Sequence, residues 1–522
     1  MARITRATFT LLYSLLALAQ LSVAASVYEK RQESTDASDG ADADVATVQT
    51  STLRAGASYP FVCSIISGTT SSSTLVHWPG SPVFKWLSSH WAATSNQVPA
   101  CVVEPGKASD IAKILLTVGI SRTPFAVQSG GHTTNPGWSS TKGVHISLNS
   151  LRSINYDSAS QTVEIGTGLR WEEVYAALEP HGVTVVGGRV RGVGVGGFTL
   201  GGGYSWKTNQ YGLTIDTVTA FELVTPLGKV VKVTQRSDSA LFSGLKGGGN
   251  NFGIVTKITL KTVPQGPVWG GSMTYMDPAT LPLVNAATAK FAANVTDPKA
   301  SILNTVSFYQ GAPLVNIAMF YDGPSPPAGI FDDFLSIPAV AGGSGTQTYL
   351  EKINSSPSND TYGFRNYFGT VPVPKYSPKL LDIVSNLSVT IGNELSSKSL
   401  VFMTLVNEPF LPSILSHSNS GATSYPWNRS KVYTPFNIFL SWADPAQDKA
   451  FEAAVKRIQD TLYAALAEEG ERNLDGVPLY SNYAMWDTPV SKLYGPNLPG
   501  LKLLKLRVDP LNVMSLAGGF KI

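Results

Sequence analysis

Three clusters of glycine place the strongest constraint on how this chain can fold. They are Gly130-Gly131, the run from Gly192 to Gly203 and the run from Gly247 to Gly253, and each lies beside a β-rich segment. Consecutive glycines after a strand let the backbone approach a ligand closely, and their N–H groups can hold a phosphate or a pyrophosphate. Tight turns in a β-rich fold would explain one such cluster. Three in close succession favour a groove that is lined by backbone and binds a cofactor.

The second cluster also matches the dinucleotide-binding pattern G-x-G-x-x-G. Gly192, Gly194 and Gly197 occupy its glycine positions, and Asp216 follows at roughly the distance expected for a ribose contact. That pattern needs a helix directly after the glycines. Here Phe198-Thr199-Leu200 runs into three more glycines, each of which costs about 1 kcal/mol in a helix. We therefore interpret the match as accidental.

Short β-rich runs alternate with amphipathic helices between residues 100 and 265, which is typical of an α+β domain. Glycine becomes rarer from Pro267, and the mixed helices and strands that follow predict a second domain of antiparallel sheet and helices. The segment from Val477 to Ile522 has strand-like character interrupted by proline and glycine. The predicted helices cover 109–118, 170–179, 283–294 and 447–468, and the predicted strands cover 124–128, 144–148, 183–186, 221–225, 229–233, 253–263, 314–321, 400–406 and 437–442.

The first 25 residues have the pattern of a secretory signal peptide. Arg3 and Arg6 precede an apolar run from Phe9 to Ala19, and Val23-Ala24-Ala25 supplies the small residues of a cleavage site. The run is too short for a membrane anchor, and no later segment reaches the ~20 apolar residues that a membrane-spanning helix needs. We therefore expect a secreted protein without a membrane segment.

Residues 26–57 are expected to form a disordered leader or a propeptide, in which Lys30-Arg31 is a candidate processing site. Net charge argues against nucleic acid or an anionic membrane as a partner. The 39 basic and 36 acidic residues leave a net charge of 39 − 36 = +3. Arg3, Arg6 and Lys30-Arg31, set against Glu29, account for all of it, so the rest of the chain is close to neutral.

Cysteines and glycosylation motifs agree with secretion. Cys63 and Cys101 are the only two cysteines, and an isolated pair in an oxidising compartment is expected to form a disulfide. Two cysteines exclude a cysteine-rich metal site built by this chain alone, and we predict no metal. Candidate N-glycosylation sites follow the N-x-[ST] pattern at Asn294, Asn354, Asn359, Asn386 and Asn428.

The glycine clusters belong to longer motifs that together resemble one family. These motifs are Gln128-Ser129-Gly130-Gly131-His132, the run from Val193 to Tyr204, and Leu245 to Thr256, followed by Tyr480-Ser481-Asn482-Tyr483 and the ending Gly518-Gly519-Phe520-Lys521. Over roughly residues 60–522 the chain resembles the FAD-linked oxidases of the berberine bridge enzyme-like branch of the vanillyl alcohol oxidase superfamily. Its cysteine pair also resembles that of secreted fungal members.

The resemblance implies a two-domain α+β flavoprotein. A p-cresol methylhydroxylase-type FAD-binding domain would cover 58–266 and a substrate domain 267–476, with 477–522 returning to the FAD-binding domain. The implied activity is transfer of hydride from a substrate C–H bond, next to an alcohol or amine or at an activated carbon, to FAD. Dioxygen would then reoxidise the flavin and yield hydrogen peroxide. We expect a monomer that acts on a small organic molecule.

The same resemblance implies which residues bind the cofactor. His132 would bond covalently to the flavin 8α-methyl carbon, and the loop that it ends would hold the pyrophosphate. The other residues implied to contact FAD are Gln128, Ser129, Gly130, Gly131, Thr133, Val193, Gly194, Gly197, Gly201, Gly202, Gly203, Gly253, Ile254, Val255 and Asn482. Some relatives attach the flavin a second time through a cysteine, but Val190 lies nearest that position here. We therefore predict a single covalent bond.

A general base is needed if the substrate is an alcohol or a phenol. Tyr483, Tyr480 and Tyr204 are the candidates, although each could instead pack in the core with its hydroxyl hydrogen-bonded. Glu408 could contribute, but an exposed, solvated carboxylate is the ordinary expectation for such a residue. Two alternatives remain open: a tailoring enzyme of secondary metabolism that uses the same flavin for oxidative cyclisation or dehydrogenation, and a secreted binding protein without catalysis.

Overall fold

The structure is a computed structural model that describes residues 57–309, 311–356, 360–417, 423–426, 428 and 430–522. The expected signal peptide, the leader up to residue 56 and the Asn359 glycosylation motif lie outside the described residues. Within them, no helix is both long enough and apolar enough to span a bilayer.

The first half of the chain builds two sheets. Its strands are β1 (Leu75–His77), β2 (Cys101–Glu104), β3 (Phe125–Gln128), β4 (Val144–Ser147), β5 (Ile154–Asp157), β6 (Thr162–Gly166), β7 (Val183–Thr184), β8 (Val218–Val224), β9 (Val230–Thr234), β10 (Ile254–Lys261) and β11 (Val263–Pro264). A four-stranded sheet has the order β1-β2-β4-β3, in which β2, β4 and β3 are parallel. A five-stranded antiparallel sheet has the order β5-β6-β10-β8-β9, and β7 pairs with β11.

Helices cover these sheets. They are α1 (Tyr59–Thr69), α2 (Pro82–Ser88), α3 (Ala108–Ser121), α4 (Trp171–Leu178), α5 (Val195–Leu200), α6 (Thr208–Tyr211), α7 (Thr214–Thr217) and α8 (Ser239–Leu245). The helix predicted over 109–118 is confirmed as α3, and one of its faces carries Ile111, Ile114, Leu115 and Val118, which are fully buried. The glycine clusters follow β3, surround α5 and precede β10, so they lie between the two sheets.

The second half forms one antiparallel sheet. Its strands are β12 (Val268–Tyr275), β13 (Ala300–Tyr309), β14 (Ala312–Tyr321), β15 (Ala341–Gln347), β16 (Arg365–Val373), β17 (Leu400–Asn407) and β18 (Thr434–Trp442), in the order β15-β12-β14-β13-β17-β18-β16. Its helices are α9 (Leu281–Asn294), α10 (Asp332–Ser336), α11 (Tyr349–Asn354), α12 (Pro378–Ser396) and α13 (Asp448–Glu468). The prediction of a two-domain α+β protein with an antiparallel second domain is confirmed.

The alternation of β18 shows how this sheet faces the first domain. Ile438 and Leu440 are fully buried in the core under α12 and α13. Phe439 points to the opposite face, where its ring stacks at 5.5 Å on that of Trp91 from the first domain. The second domain therefore lays one face of its sheet over the segment around Trp91.

Two sequence expectations about helices are wrong. Residues 195–200 do form the short helix α5, although the glycines on either side disfavour one. Burial of Val195 and Thr199 offsets that cost. The fold nevertheless differs from a dinucleotide-binding βαβ unit, because the strands before and after α5, β7 and β8, belong to two separate antiparallel sheets. The match to G-x-G-x-x-G is therefore accidental, because the motif does not lie in the fold for which it is typical.

The final segment is helical, which corrects the strand-like expectation for 477–522. It forms α14 (Val490–Tyr494) and α15 (Leu498–Val508), and Pro499 stands in the first turn of α15, where proline is tolerated. Leu501 and Leu504 recur at helical spacing and are buried. Tertiary packing thus outweighs the local preference of the proline and glycine residues for turns and strands.

Residues 517–522 cross between two loops of the first domain. Phe520 packs edge-on against Trp138, which follows the first glycine cluster. Asn250 and Asn251 of the third cluster donate amide hydrogen bonds to the carbonyl oxygens of Gly518 and Phe520, both at 2.9 Å. The tail therefore connects the first glycine cluster to the third. The domain boundaries themselves stay predictions.

The expected disulfide is present between Cys63 of α1 and Cys101 at the start of β2. Both cysteines are fully buried, and the bond closes a loop of 38 residues. Replacing both cysteines with serine should lower the free energy of unfolding by about 4 kcal/mol, since the unfolded chain gains loop entropy. Urea denaturation measures this, with Ser64→Ala in the same helix as the control. A loss below about 1 kcal/mol would contradict the prediction.

Candidate active site

A hydroxyl network brings the three glycine clusters together. The Ser129 hydroxyl donates to the carbonyl oxygen of Thr167 at 2.6 Å and accepts a hydrogen bond from the Gly196 amide at 3.2 Å. The buried Thr167 hydroxyl in turn donates to the carbonyl oxygen of Val255 at 2.8 Å. Ser129 follows the first cluster's strand, Gly196 lies in the second cluster, and Val255 follows the third. The clusters thus meet at one place, as the sequence predicts.

The first two clusters touch through their backbones. A Cβ placed on Gly130 would lie 2.3 Å from the Gly194 nitrogen, and a Cβ placed on Gly194 would lie 2.2 Å from the Gly130 nitrogen. Neither backbone can admit a side chain at that separation. The two glycine backbones form a cradle beside the loop from Ser129 to His132, whose backbone N–H groups would suit a pyrophosphate.

His132 ends this loop with its imidazole under a tryptophan. The Trp91 and His132 rings stack 4.3 Å apart at an interplanar angle of 10°. Burial lowers the pKa of His132 to about 4, and the positive charge of Arg170 acts in the same direction. No other residue in the described part of the chain forms a hydrogen bond with the imidazole. The ring is therefore neutral at physiological pH, and its one hydrogen-bond contact is with its own backbone.

Asn482 and the triple glycine meet beside α5. The Asn482 amide donates to the Phe198 carbonyl oxygen at 3.1 Å and to the Tyr480 hydroxyl at 2.9 Å. The Tyr480 hydroxyl also accepts a hydrogen bond from the Gly203 amide at 3.2 Å. The C-terminal Y-S-N-Y motif is thus packed directly onto residues 201–203, which were also predicted to bind the cofactor.

Four further residues that were predicted to contact the cofactor differ in whether their side chain or their backbone is free to do so. Gly197 has no protein atom within 4 Å of its Cβ position and is exposed to the groove. Gln128 is already satisfied, because its amide donates to the Ser89 carbonyl oxygen and its side-chain oxygen lies 2.6 Å from His145 Nε2. Ile254 and Val255 bury their side chains in two cores, so only their backbone could face a cofactor.

Thr133, Val193 and Gly253 already take part in contacts within the protein. Thr133 accepts a hydrogen bond from the Asn135 amide at 3.3 Å. The Val193 carbonyl oxygen accepts one from the Trp171 amide at 3.1 Å. Gly253 opens β10 with a φ of +141°, and its Cβ position lies 2.3 Å from the Val224 carbonyl oxygen. Val193 and Gly253 belong to the second and third glycine clusters, and Thr133 follows the first.

The three candidate tyrosines lie together but in different surroundings. The Tyr480 ring lies 4.8 Å from that of Tyr204 and 4.9 Å from that of Tyr483, edge-on to both. Burial raises the pKa of all three, to about 12 for Tyr480. The Tyr204 hydroxyl lies 3.4 Å from that of Tyr425. Among the three, only Tyr483 hydrogen-bonds to a carboxylate.

That carboxylate is Glu408, and it is buried. The Tyr483 hydroxyl donates to Glu408 Oε1 at 3.0 Å, and Arg189 Nη2 donates to Glu408 Oε2 at 2.7 Å. Arg189 also donates to the Tyr483 hydroxyl at 3.1 Å. The Glu408 side chain is only 2% exposed, so the expectation of a solvated carboxylate is wrong. The ion pair with Arg189 makes burial of this charge tolerable.

The electrostatics of the cluster follow from burial and mutual contact. Burial raises the pKa of Glu408, while Arg189 and the hydrogen bond from Tyr483 oppose that rise. The pKa of Arg189 is raised by the charge of Glu408, so the guanidinium stays charged. For Tyr483, burial and the negative charge of Glu408 both raise the pKa of the phenol. The tyrosine is therefore protonated and donates its hydrogen to the carboxylate.

Val190 belongs to the loop that carries Arg189. The Gly188 carbonyl oxygen in this loop accepts a hydrogen bond from Tyr175 at 2.8 Å, and a Cβ on Gly192 would lie 3.9 Å from His132 Nε2. The loop that contains Val190 therefore runs past the imidazole.

Sequence reasoning missed three residues of this site. Thr167, Trp91 and Arg189 each act through contacts with residues far along the chain, the last across 219 positions. Only Arg189 had a local signal, namely its place in the loop where relatives carry a second flavin attachment. Nothing in the local sequence distinguishes Thr167 or Trp91 from ordinary core residues.

Comparisons with known proteins agree with this geometry. The FAD binding domain family matches residues 99–234. An uncharacterized FAD-linked oxidoreductase of Arthroderma benhamiae is 33% identical over 75% of this chain and 81% of its own length. The FAD-dependent monooxygenase sdcF of Emericella nidulans is 30% identical over 87% of this chain and 97% of its own. The structure of BBE-like 1 from Physcomitrella patens superposes with a TM-score of 0.71 at 17% identity, covering 88% of this chain and 97% of that one.

The first two similarities extend over most of both chains, and the third shows a shared two-domain fold. The resemblance to berberine bridge enzyme-like proteins is thereby confirmed. The chain belongs to the family of FAD-linked oxidoreductases that these fungal relatives represent, and it is an enzyme of that family.

Proposed function

We propose that this protein is a secreted, monomeric FAD-dependent oxidoreductase that holds FAD by one covalent bond to His132 and oxidises a C–H bond of a small organic molecule. The observation that carries the proposal is the neutral imidazole of His132. It directly follows the cradle formed by Gly130 and Gly194, and no other described residue hydrogen-bonds to it.

A covalent bond to FAD requires a neutral, accessible nitrogen, and His132 offers one. The imidazole nitrogen would replace one hydrogen of the flavin 8α-methyl carbon. One C–H bond and one N–H bond would break, and one N–C bond would form. Dioxygen would take up the two protons and two electrons that are released, and would leave as H2O2. A histidine with its ordinary pKa near 6.5 would be partly protonated and less reactive in a mildly acidic medium.

The residues around His132 fit the rest of FAD. The cradle from Ser129 to His132 would hold the pyrophosphate by backbone N–H groups, and the exposed Gly197 leaves space beside α5. Bound FAD supplies the acceptor for two electrons and a proton from the substrate. Val190 cannot form a thioether, which supports a single covalent bond.

Arg189, Glu408 and Tyr483 would handle the substrate proton. A substrate hydroxyl that donates to the Tyr483 oxygen could lose its proton as the Tyr483 proton moves to Glu408. Arg189 holds Glu408 in its ionised form until the proton arrives. Tyr480 and Tyr204 lack a carboxylate partner, so we assign them to packing around the substrate and not to proton transfer.

A second candidate function differs only in the substrate. Relatives named FAD-dependent monooxygenases favour a tailoring enzyme that acts on one complex metabolite, with the same flavin. Steady peroxide formation with several simple alcohols or sugars would support the oxidase. Activity confined to one complex metabolite would support the tailoring enzyme. A colourless purified protein would contradict both and favour a non-catalytic binding protein.

Secretion is supported by the disulfide between Cys63 and Cys101 and by exposed glycosylation motifs. Asn294, Asn354 and Asn386 are exposed, and Asn428 is half-buried. Whether these asparagines carry glycans stays a prediction, which mass spectrometry of the secreted protein checks.

His132→Ala should abolish covalent flavin while leaving FAD bound in the groove. After denaturation and gel electrophoresis, we expect a fluorescent band for the wild-type protein and a dark band for His132→Ala, with free FAD in the supernatant. The exposed His181 provides a control, and His181→Ala should stay fluorescent. A dark wild-type band together with released FAD would rule out the covalent bond.

A further inference from the structure

Trp91 contacts His132 more closely than any other aromatic ring does. The two rings are nearly parallel, with centroids 4.3 Å apart. Apart from a contact with its own backbone, no hydrogen bond from the described part of the chain fixes the imidazole. Stacking is therefore the main interaction that sets the plane of the imidazole.

Trp91 is itself held by both domains. Its amide donates to the Gly131 carbonyl oxygen at 3.0 Å, and its carbonyl oxygen accepts a hydrogen bond from the Gly363 amide at 2.9 Å. The indole also stacks on Phe368 of β16 at 5.9 Å and on Phe439 of β18 at 5.5 Å. Contacts with the second domain therefore fix the orientation of the indole. Because the imidazole stacks on the indole, its orientation is fixed as well.

The other side of the imidazole is bounded by glycine. A Cβ on Gly192, which has a φ of +90°, would lie 3.9 Å from His132 Nε2 and 4.0 Å from Cδ2. The absence of a side chain at Gly192 keeps this edge of the ring open. The imidazole is therefore fixed on the Trp91 face and open along the edge that carries Nε2.

We propose that Trp91 is the positioning residue for covalent attachment of FAD, holding the imidazole in the plane from which its nitrogen reaches the 8α-methyl carbon. The inference rests on the proposed covalent bond. Without the stack, the imidazole of His132 would rotate about its side-chain bonds, and fewer of its orientations would be productive. A merely structural Trp91 would instead stabilise the domain contact and leave the rate of attachment unchanged.

The rate of covalent attachment tests this proposal. The full chain is secreted from a host starved of riboflavin, mixed with FAD, sampled over time, denatured and quantified by in-gel flavin fluorescence. Trp91→Leu keeps an apolar side chain but removes the ring, and it should slow attachment about tenfold. Trp91→Phe restores a ring and should retain at least about half of the wild-type rate. The exposed Trp86 supplies the control, and Trp86→Ala should match the wild-type protein.

A second measurement separates positioning from general stabilisation. In the His132→Ala background no bond can form, so Trp91→Leu should change the Kd for FAD less than about threefold. A change of tenfold or more there would show that Trp91 shapes the groove itself and would overturn the proposal. Attachment by Trp91→Leu at the wild-type rate would overturn it as well. A wild-type protein without covalent flavin would overturn both this inference and the proposed function, whereas the previous two results leave the covalent bond intact.

Discussion

Gly130→Ala should yield a protein that no longer binds FAD. The new methyl group would lie 2.3 Å from the Gly194 nitrogen and 2.6 Å from its Cα, and both atoms belong to backbone that cannot rotate away. The first two glycine clusters would have to separate, which destroys the phosphate cradle. We expect the affinity for FAD to fall at least ~100-fold, a loss of about 3 kcal/mol. Absorbance of the purified protein in the flavin bands measures the bound fraction.

Two other glycines provide matched controls. Gly266→Ala should behave as wild type, because no atom lies within 4 Å of the Cβ position and the residue is outside the groove. Gly197→Ala also meets no protein atom, so it should fold with an unchanged unfolding midpoint. If Gly197 packs against the cofactor, however, its alanine variant should bind FAD more weakly. Normal flavin content in Gly130→Ala would show that the cradle is not where the pyrophosphate binds.

Glu408→Gln should lower kcat at least ~100-fold, within the range seen when a general base is removed. The amide keeps the size of the side chain and an oxygen near Tyr483, but it cannot accept the Tyr483 proton. It also leaves the buried Arg189 without its counter-charge, and breaking such a pair costs about 3–5 kcal/mol of stability. Steady-state kinetics with the substrate found by screening, together with thermal unfolding, measures both effects. The exposed Glu179 is the control, and Glu179→Gln should change neither.

The pH profile separates loss of the base from loss of stability. Burial raises the pKa of Glu408, and below that pKa the carboxyl is protonated and cannot accept a proton. The value of kcat/KM in the wild-type enzyme should therefore fall as pH is lowered through this pKa. Glu408→Gln should not show this fall of kcat/KM at low pH. Tyr483→Phe should fold normally and lower kcat by a similar ~100-fold. A Glu408→Gln enzyme with the wild-type acidic limb would exclude Glu408 as the base.

The residues that the sequence could identify are those with a local pattern. His132 stands directly after two glycines and a strand, and the clusters around Gly194 and Gly253 are likewise visible as local runs of glycine. The buried stripe of α3 and the two-domain division follow from periodicity and from the thinning of glycine. These features depend on residues that are close together in the sequence, so they can be predicted from the sequence alone.

The features that the sequence could not identify depend on distant partners. Glu408 has no local signal for burial, since its counter-charge on Arg189 lies 219 positions earlier. Trp91 precedes the imidazole that it covers and meets β16 and β18 only after the second domain docks. Helix α15 was missed for a related reason, because the burial of Leu501 and Leu504 outweighs local turn-forming residues.

The crossing of residues 517–522 between the first and third glycine clusters has a consequence for the timing of assembly. Asn250 and Asn251 donate hydrogen bonds to Gly518 and Phe520, and Phe520 is also the ring partner of Trp138. A nascent chain that has not yet reached these residues has an unfinished groove, however completely its first 300 residues have folded. We therefore expect stable cofactor loading to follow synthesis, because residues 517–522 complete the contacts between the first and third glycine clusters.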